Sequence, residues 1–255
     1  MIAPAGPPRP SEPGTVGAEL ETLTAMLASG GVEEARAEAR DILAAVLDVP
    51  RLWPVANRAV PLDASVREEA QRAVARRVLG APFAYAVGRA AFRHLTLQVD
   101  ERVLIPRQET EVLVDLVLEA TRDAPGGLAL DVGTGSGAIA LALAAEGRFD
   151  LVIGSDVSLD ALAVAAANAR LVAAELQCPV EFVHGAALAP FAGRRACVVV
   201  SNPPYIAPEE RAALPSTVRD WEPPLALFAP DEGLAVTRAI VAAAPDVLEP
   251  GGLLA

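Results

Sequence analysis

No lysine occurs among the 255 residues; all 21 basic side chains are arginine. That absence excludes Schiff-base chemistry and any phosphate loop built on a lysine. Cysteine is almost missing as well. Cys178 and Cys197 stand alone, too few for a disulfide framework, and His94 and His184 lie far from each other and from both cysteines. No metal-ligand spacing results, and the two thiols read as small buried side chains. Long apolar runs are absent: each is broken by charge or glycine well short of a bilayer span. The first residues show no charged segment followed by an apolar one, so no signal peptide is expected and the location reads as cytoplasmic. An excess of basic charge is missing too. With 33 acidic residues the formal net charge is −12, which weighs against duplex nucleic acid, since such a ligand calls for a basic face. The arginines at 72, 76 and 77 sit one turn from Glu68 and Glu69. A protein or small-molecule substrate fits better.

What is present begins with a hydrophobic fraction of 53%, enough for a sizeable core in one large domain or in a medium one plus a small one. Residues 1–17 hold Pro4, Pro7, Pro8, Pro10 and Pro13 and few large apolar groups, and read as a disordered leader. Helical periodicity follows over residues 18–82, with Leu20, Leu23 and Leu27 on one face and Ala39, Ile42, Leu43, Val46 and Leu47 on another. This is expected to be a small helical domain. Residues 83–108 then read as a β-hairpin linker, Leu95–Val99 pairing with Val103–Ile105 around a polar Asp100-Glu101-Arg102 turn. Glu109 and Glu111 suit the first turn of a helix running to about Arg122. From residue 109 onward strands alternate with helices: strands at Leu128–Val132, Leu151–Ser155, Val180–His184 and Cys197–Ser201, helices near Gly137–Glu146, Leu159–Leu176 and Gly233–Val247. Such alternation builds an α/β domain with a parallel sheet whose ligands bind at the carboxyl ends of the strands.

The first of these strands empties into Asp131-Val132-Gly133-Thr134-Gly135-Ser136-Gly137-Ala138. Glycines here let the backbone approach a ligand closely at a helix start. Gly133, Gly135 and Ala138 satisfy the dinucleotide fingerprint, and Asp156 stands 18 residues beyond Ala138, where a ribose-binding acid belongs. The fingerprint alone does not separate NAD from S-adenosylmethionine. Two carboxylates tilt the choice toward the latter. Asp131, just ahead of the glycines, suits the cationic amino-acid part of S-adenosylmethionine and would repel a pyrophosphate. Asp156, ending the next strand, can accept from both ribose hydroxyls. An NAD dehydrogenase is disfavoured further because no His, Lys or Tyr/Lys pair is placed to manage a hydride and a proton.

The strand at 197–201 is an uninterrupted apolar run, so it belongs in the centre of the sheet, and it leads into Asn202-Pro203-Pro204-Tyr205. Two prolines remove two amide donors and stiffen the backbone. The Asn202 side-chain oxygen and the Pro203 carbonyl then make a rigid acceptor pair for a planar NH2 group, against which the Tyr205 ring can pack. A plain strand-ending turn is the alternative for an Asn-Pro step; its place after the fourth strand of a nucleotide-type sheet favours the acceptor pair.

With these residues assembled, the chain resembles the HemK/PrmC family of protein-(glutamine-N5) methyltransferases from about Leu20 to its end. The resemblance rests on Gly80-Ala81-Pro82-Phe83-Ala84-Tyr85 through Gly88 and on Val103-Leu104-Ile105-Pro106-Arg107-Gln108-Glu109-Thr110-Glu111. It also rests on Asp131–Gly137, Asn202–Tyr205 and Val218-Arg219-Asp220-Trp221-Glu222-Pro223. The Ile-Pro-Arg…Thr-Glu segment is the most specific part, separating this family from nucleic-acid adenine methyltransferases that share Asn-Pro-Pro-Tyr. The resemblance implies a Rossmann-like, S-adenosylmethionine-dependent methyltransferase domain over 109–255 behind an N-terminal helical recognition domain and the linking hairpin. It implies that Asp131, Gly133, Thr134, Gly135, Ser136, Gly137, Asp156, Ala187 and Asn202 hold the cofactor. Asn202, Pro203, Pro204 and Tyr205 would hold the target amide, with Arg107 near the site's mouth. The implied partner is a peptide chain release factor, methylated on the glutamine of a Gly-Gly-Gln motif, with no nucleic-acid or membrane partner. Glutamine methylation of a ribosomal protein, adenine N6-methylation and an inactive cofactor-binding homologue are the other readings. Gln108 replaces a usual proline, Ala186 a usual acidic residue, and the chain is expected to stop at Gly251–Ala255 as its fifth strand begins, short of the family's last two strands.

Overall fold

Helical periodicity in the first third of the chain folds as α1 (Val16–Ser29), α2 (Ala35–Leu47), the short α3 (Trp53–Ala56), α4 (Ala64–Val78) and α5 (Phe83–Val87). The computed structural model describes residues 14–124 and 126–255, and the chain divides into two compact units between Val87 and Gly88. Most of the proline-rich leader therefore lies outside the described residues. Its last four positions, 14–17, do not: Val16 and Gly17 already belong to α1, because the Thr15 hydroxyl accepts from the Ala18 amide at 3.3 Å and caps the helix there. Leu20, Leu23 and Leu27 of α1 pack against Ala39, Ile42 and Leu43 of α2 and Ala70, Ala73 and Val74 of α4. The faces read from the sequence are the ones turned inward, with Val46 and Leu47 only partly buried, and each fully buried large aliphatic contributes about 1.5–3 kcal/mol. Residues 83–87 are helical, so this unit ends five residues later than the change in pattern suggested.

The second unit opens with a hairpin, β1 (Arg89–Phe92) and β2 (Leu95–Gln98), paired antiparallel. A hairpin was expected, but its turn is Arg93-His94, and Val103–Ile105 is not a strand. Arg93 adopts φ of 53°, a conformation non-glycine residues avoid, and contacts hold it there. Its amide donates to Glu111 Oε1 at 3.0 Å and its guanidinium grips Glu146 at 2.7 and 2.8 Å. Phe92, Leu95 and Leu97 join the main core of the unit, so the hairpin is part of this unit's packing.

Next come α6 (Gln108–Thr121), β3 (Leu128–Val132), α7 (Ala138–Glu146), β4 (Leu151–Asp156), α8 (Leu159–Leu171), β5 (Val180–His184) and β6 (Ala196–Ser201). The short helices α9 (Ser216–Arg219) and α10 (Pro224–Leu227) then precede α11 (Ala235–Val247) and β7 (Leu248–Leu254). The sheet order is β5-β4-β3-β6-β7 and every pair is parallel. The α/β class and the four strands β3 to β6 match expectation to within one residue. The fifth strand is not merely begun: β7 runs seven residues and pairs with β6. The chain winds outward from β3 to β5 and then returns to the other side of β3 with β6, so the direction of winding reverses between β3 and β6. A crevice opens beyond the carboxyl ends of strands at such a reversal. No helix among the described residues is long and apolar enough to cross a membrane.

Candidate active site

A cavity of about 410 Å³ sits at that reversal, within the range for small-molecule sites. Its floor comes from strand ends. Val132 ends β3 and Gly133 follows it, Asp156 ends β4, Gly185 to Ala187 follow β5, and Ser201 ends β6 with Asn202 to Pro204 after it. Apolar parts of the wall come from Val103, Leu104, Leu225, Phe228 and Val236. Residues 103–104 thus build a wall of the site where a hairpin strand had been expected.

The glycine loop is stitched to β4. The amides of Gly133 and Thr134 both donate to the Ser155 carbonyl at 2.8 Å, and that of Gly135 donates to Asp156 Oδ2 at 2.9 Å. Gly133 and Gly135 have φ of 76° and 55°, and a Cβ on either would meet nothing within 4 Å, so bare backbone faces the cavity. Asn168 supports the loop from behind. Fully buried on α8, it donates to the carbonyls of Ser136 and Gln98 at 2.9 and 3.0 Å and accepts from the Gln98 amide at 2.7 Å. Sequence reasoning missed Asn168; its only signal is a polar residue at a core position of an amphipathic helix.

Asp131 lies elsewhere than expected. It is fully buried and forms no part of the cavity wall. Its Oδ2 accepts from the Thr134 hydroxyl at 2.7 Å and the Ala140 amide at 3.1 Å, while Oδ1 has no partner among the described residues. Burial pushes its carboxyl up to about 7, against the pull of those two donors, with Asp156 adding a smaller push. Asp131 thus holds the loop's underside to the start of α7. Thr134 and Ser136 are buried beside it, and Gly137 caps α7 with φ of 84°; none of the three lines the cavity. Gly133, Gly135, Asp156, Ala187 and Asn202 do.

Three consecutive loop amides are engaged by the β4 end and so are not presented to a pyrophosphate. The Arg102 guanidinium at the cavity edge is held by Asp100 at 2.8 and 2.6 Å. The Asp156 carboxylate stays on the wall, each oxygen with one amide donor and a lone pair to spare: Oδ1 takes the Ser158 amide at 2.9 Å. An anionic dinucleotide suits this lining poorly. A cationic ligand with ribose hydroxyls and an apolar base suits it, which is the chemistry of S-adenosylmethionine.

At the other end, Asn202, Pro203 and Pro204 leave β6 and enter the cavity wall. The Ser201 hydroxyl donates to the Val132 carbonyl at 2.6 Å, joining the ends of β6 and β3 beneath them. Asn202 Nδ2 donates to Thr110 Oγ1 at 3.1 Å, leaving Oδ1 as an acceptor without a donor among the described residues. The following backbone is locked: the Ile206 amide donates to the Leu227 carbonyl at 3.1 Å and the Ala229 amide to the Ile206 carbonyl at 3.0 Å. Gly233, at φ of 83°, passes so close to this turn that a Cβ would stand 2.1 Å from the Tyr205 carbonyl oxygen. Tyr205 is 68% exposed and outside the cavity wall. Arg107 also stays off the wall. It binds Glu222 at 2.5 Å, whose side chain is 1% exposed, and so ties the entry of α6 to the segment that carries Pro223 into the wall.

Comparison with known proteins agrees with this architecture. Residues 20–88 match the PrmC N-terminal domain and residues 108–217 the methyltransferase small domain. The release factor glutamine methyltransferase of Geobacter sulfurreducens is 39% identical over 94% of this chain and 82% of its own length. Those of Moorella thermoacetica and Chlorobaculum tepidum are each 41% identical, over 90% and 92% of this chain and 80% and 82% of theirs. The chain belongs to the release factor glutamine methyltransferase family.

Proposed function

We propose that the protein transfers a methyl group from S-adenosylmethionine to the side-chain amide nitrogen of a glutamine in a protein, the Gly-Gly-Gln glutamine of a peptide chain release factor. The observation that carries this is the acceptor pair at the end of β6. Asn202 Oδ1 and the Pro203 carbonyl stand beside the cavity with no donor from the described residues. A primary amide has two N–H groups in one plane, and two fixed acceptors hold both. Pro203 and Pro204 carry no N–H that would compete. S-adenosylmethionine supplies the methyl as an electrophile on a sulfonium, and S-adenosylhomocysteine, N5-methylglutamine and a proton are the products. An amide nitrogen is a poor nucleophile, so these residues act by alignment and by excluding water, which strengthens each hydrogen bond they make. The proton leaves the nitrogen for solvent at the mouth, where Tyr205 is exposed.

Gly133, Gly135, Asp156 and Ala187 would hold the cofactor, with Asp131, Thr134, Ser136 and Gly137 shaping the loop beneath it. Arg107 would act at one remove, through Glu222. Adenine also presents a planar NH2 group; the net charge of −12 and the relatives' names favour glutamine. A cytoplasmic location belongs to the same reading, since release factors act on ribosomes. A transfer assay with labelled S-adenosylmethionine separates the substrates. A Gly-Gly-Gln release-factor domain should accept label, while its Gln→Glu version and an adenine-containing oligonucleotide should not. Label in the oligonucleotide alone would overturn the proposal.

A further inference from the structure

We propose that Thr110 is a positioning residue for methyl transfer, its hydroxyl anchoring one end of the Asn202 amide so that the other end is held beside the cavity for the substrate nitrogen. This rests on the function proposed above. An asparagine amide has a donor end and an acceptor end of nearly equal shape, and half a turn about χ2 exchanges them at little steric cost. The substrate NH2 is a donor, so only one of the two orientations binds it; the other sets donor against donor. A site built on asparagine therefore depends on where that side chain is anchored and on one end being left free.

The contact between Asn202 Nδ2 and Thr110 Oγ1, at 3.1 Å, anchors one end of the amide and leaves Oδ1 free; a hydroxyl can donate as well as accept, so the contact fixes the side chain's place while the substrate's own N–H groups select the end turned to them. It is the one hydrogen bond the Asn202 side chain makes among the described residues, and it joins positions 92 apart in the chain. Thr110 is not part of the cavity wall, so it acts through Asn202 and not on the substrate. Its own place is firmly set. The Thr110 amide donates to the Arg107 carbonyl at 3.1 Å in the first turn of α6. That turn is held on one side by Arg107 to Glu222 and on the other by Glu111, which accepts from the Arg93 amide at 3.0 Å through its side chain and from the Arg93 guanidinium at 3.1 Å through its carbonyl. A β-branched side chain on a clamped turn has few rotamers, so the hydroxyl stays where the amide meets it.

Thr110→Val keeps the shape and removes the hydroxyl; Thr110→Ser keeps the hydroxyl. The Val variant should lower kcat on a Gly-Gly-Gln release-factor domain about tenfold, the scale of one lost neutral hydrogen bond, while S-adenosylmethionine binds within about twofold of wild type. The Ser variant should turn over like wild type. A second readout needs no turnover: affinity for a Gly-Gly-Gln peptide with S-adenosylhomocysteine present. There Thr110→Val should weaken binding in the wild-type background and add nothing to Asn202→Ala, because the hydroxyl acts only through that amide. Turnover within twofold in the Val variant, an unrescued Ser variant, or equal losses with and without Asn202 would each overturn the proposal. Thr110→Ala serves the same comparison if the Val variant fails to fold. If Asn202→Ala itself retains full turnover, the acceptor-pair reading falls and Thr110 with it. If Asn202→Ala is inactive and Thr110→Val is not impaired, only the role of Thr110 falls.

Discussion

Asp156→Ala removes a carboxylate with two jobs that can be weighed separately. One is internal: Oδ2 takes the Gly135 amide and Oδ1 the Ser158 amide, both at 2.9 Å. Hydrogen bonds to a charged partner contribute about 1.5–3 kcal/mol each when sheltered. Here the side chain borders the open cavity, so water replaces much of the loss. The start of α8 also keeps its cap, since the Ser158 hydroxyl still accepts from the Ala161 amide at 3.1 Å. A stability loss of about 1–2 kcal/mol follows. The other job is ligand binding, where the spare lone pairs accept from ribose hydroxyls. Losing that charged acceptor costs about 1.5–3 kcal/mol, or roughly ten- to a hundredfold in affinity. Titration calorimetry with both S-adenosylmethionine and S-adenosylhomocysteine separates the possible causes. The two share the ribose and differ in the charge at sulfur, so both should weaken alike. Unchanged affinity for both removes Asp156 from the site, and a loss confined to S-adenosylmethionine contradicts acceptance from the ribose in favour of simple charge attraction.

Arg107→Ala should destabilise the fold by roughly 2–4 kcal/mol in urea melts, because it leaves the Glu222 carboxylate buried without its cation. Adding Glu222→Gln should restore part of that, and a neutral Arg107→Ala would contradict the tie. Gly154→Ala should cost about 1–3 kcal/mol and weaken cofactor binding, since its Cβ would stand 2.6 Å from Thr134 Oγ1 and 2.9 Å from the Phe182 ring. Wild-type melting with wild-type affinity would show that this strand is less tightly packed than described. Asp131 makes stability depend on pH with a definite sign. The folded chain keeps its proton up to about pH 7, whereas the unfolded carboxyl releases it near its ordinary 3.8. In between, the folded state binds more protons, so in ligand-free protein this group's contribution to stability falls as pH rises from about 4 to about 7. Asp131→Asn should gain stability relative to wild type across that window; parallel curves would refute the shift.

The sheet was legible because strands buried on both faces are apolar runs with glycine or polar ends, a pattern local enough to read at Leu151–Asp156 or Ala196–Ser201. The hairpin was misplaced for the opposite reason. Its turn residue, Arg93, has no turn chemistry of its own and is held at positive φ by Glu111 and Glu146, which lie 18 and 53 positions away. A sequence pattern carries no trace of such support. The same limit applies in the site. The glycine loop and Asn-Pro-Pro-Tyr are contiguous and announce themselves, whereas Thr110 with Asn202 and Arg107 with Glu222 meet only through the fold. Asp131 was visible as a residue of interest but its direction was not: the strand turns it inward, under the loop, where it organises Thr134 and Ala140.

The central claim is tested most directly by mass spectrometry of a release factor after incubation with this protein and S-adenosylmethionine. The account predicts the mass gain of a single methyl group, located by fragmentation on the Gly-Gly-Gln glutamine and absent when Asn202→Ala replaces the wild type. An unmodified glutamine, or a methyl group on any other residue, would contradict it.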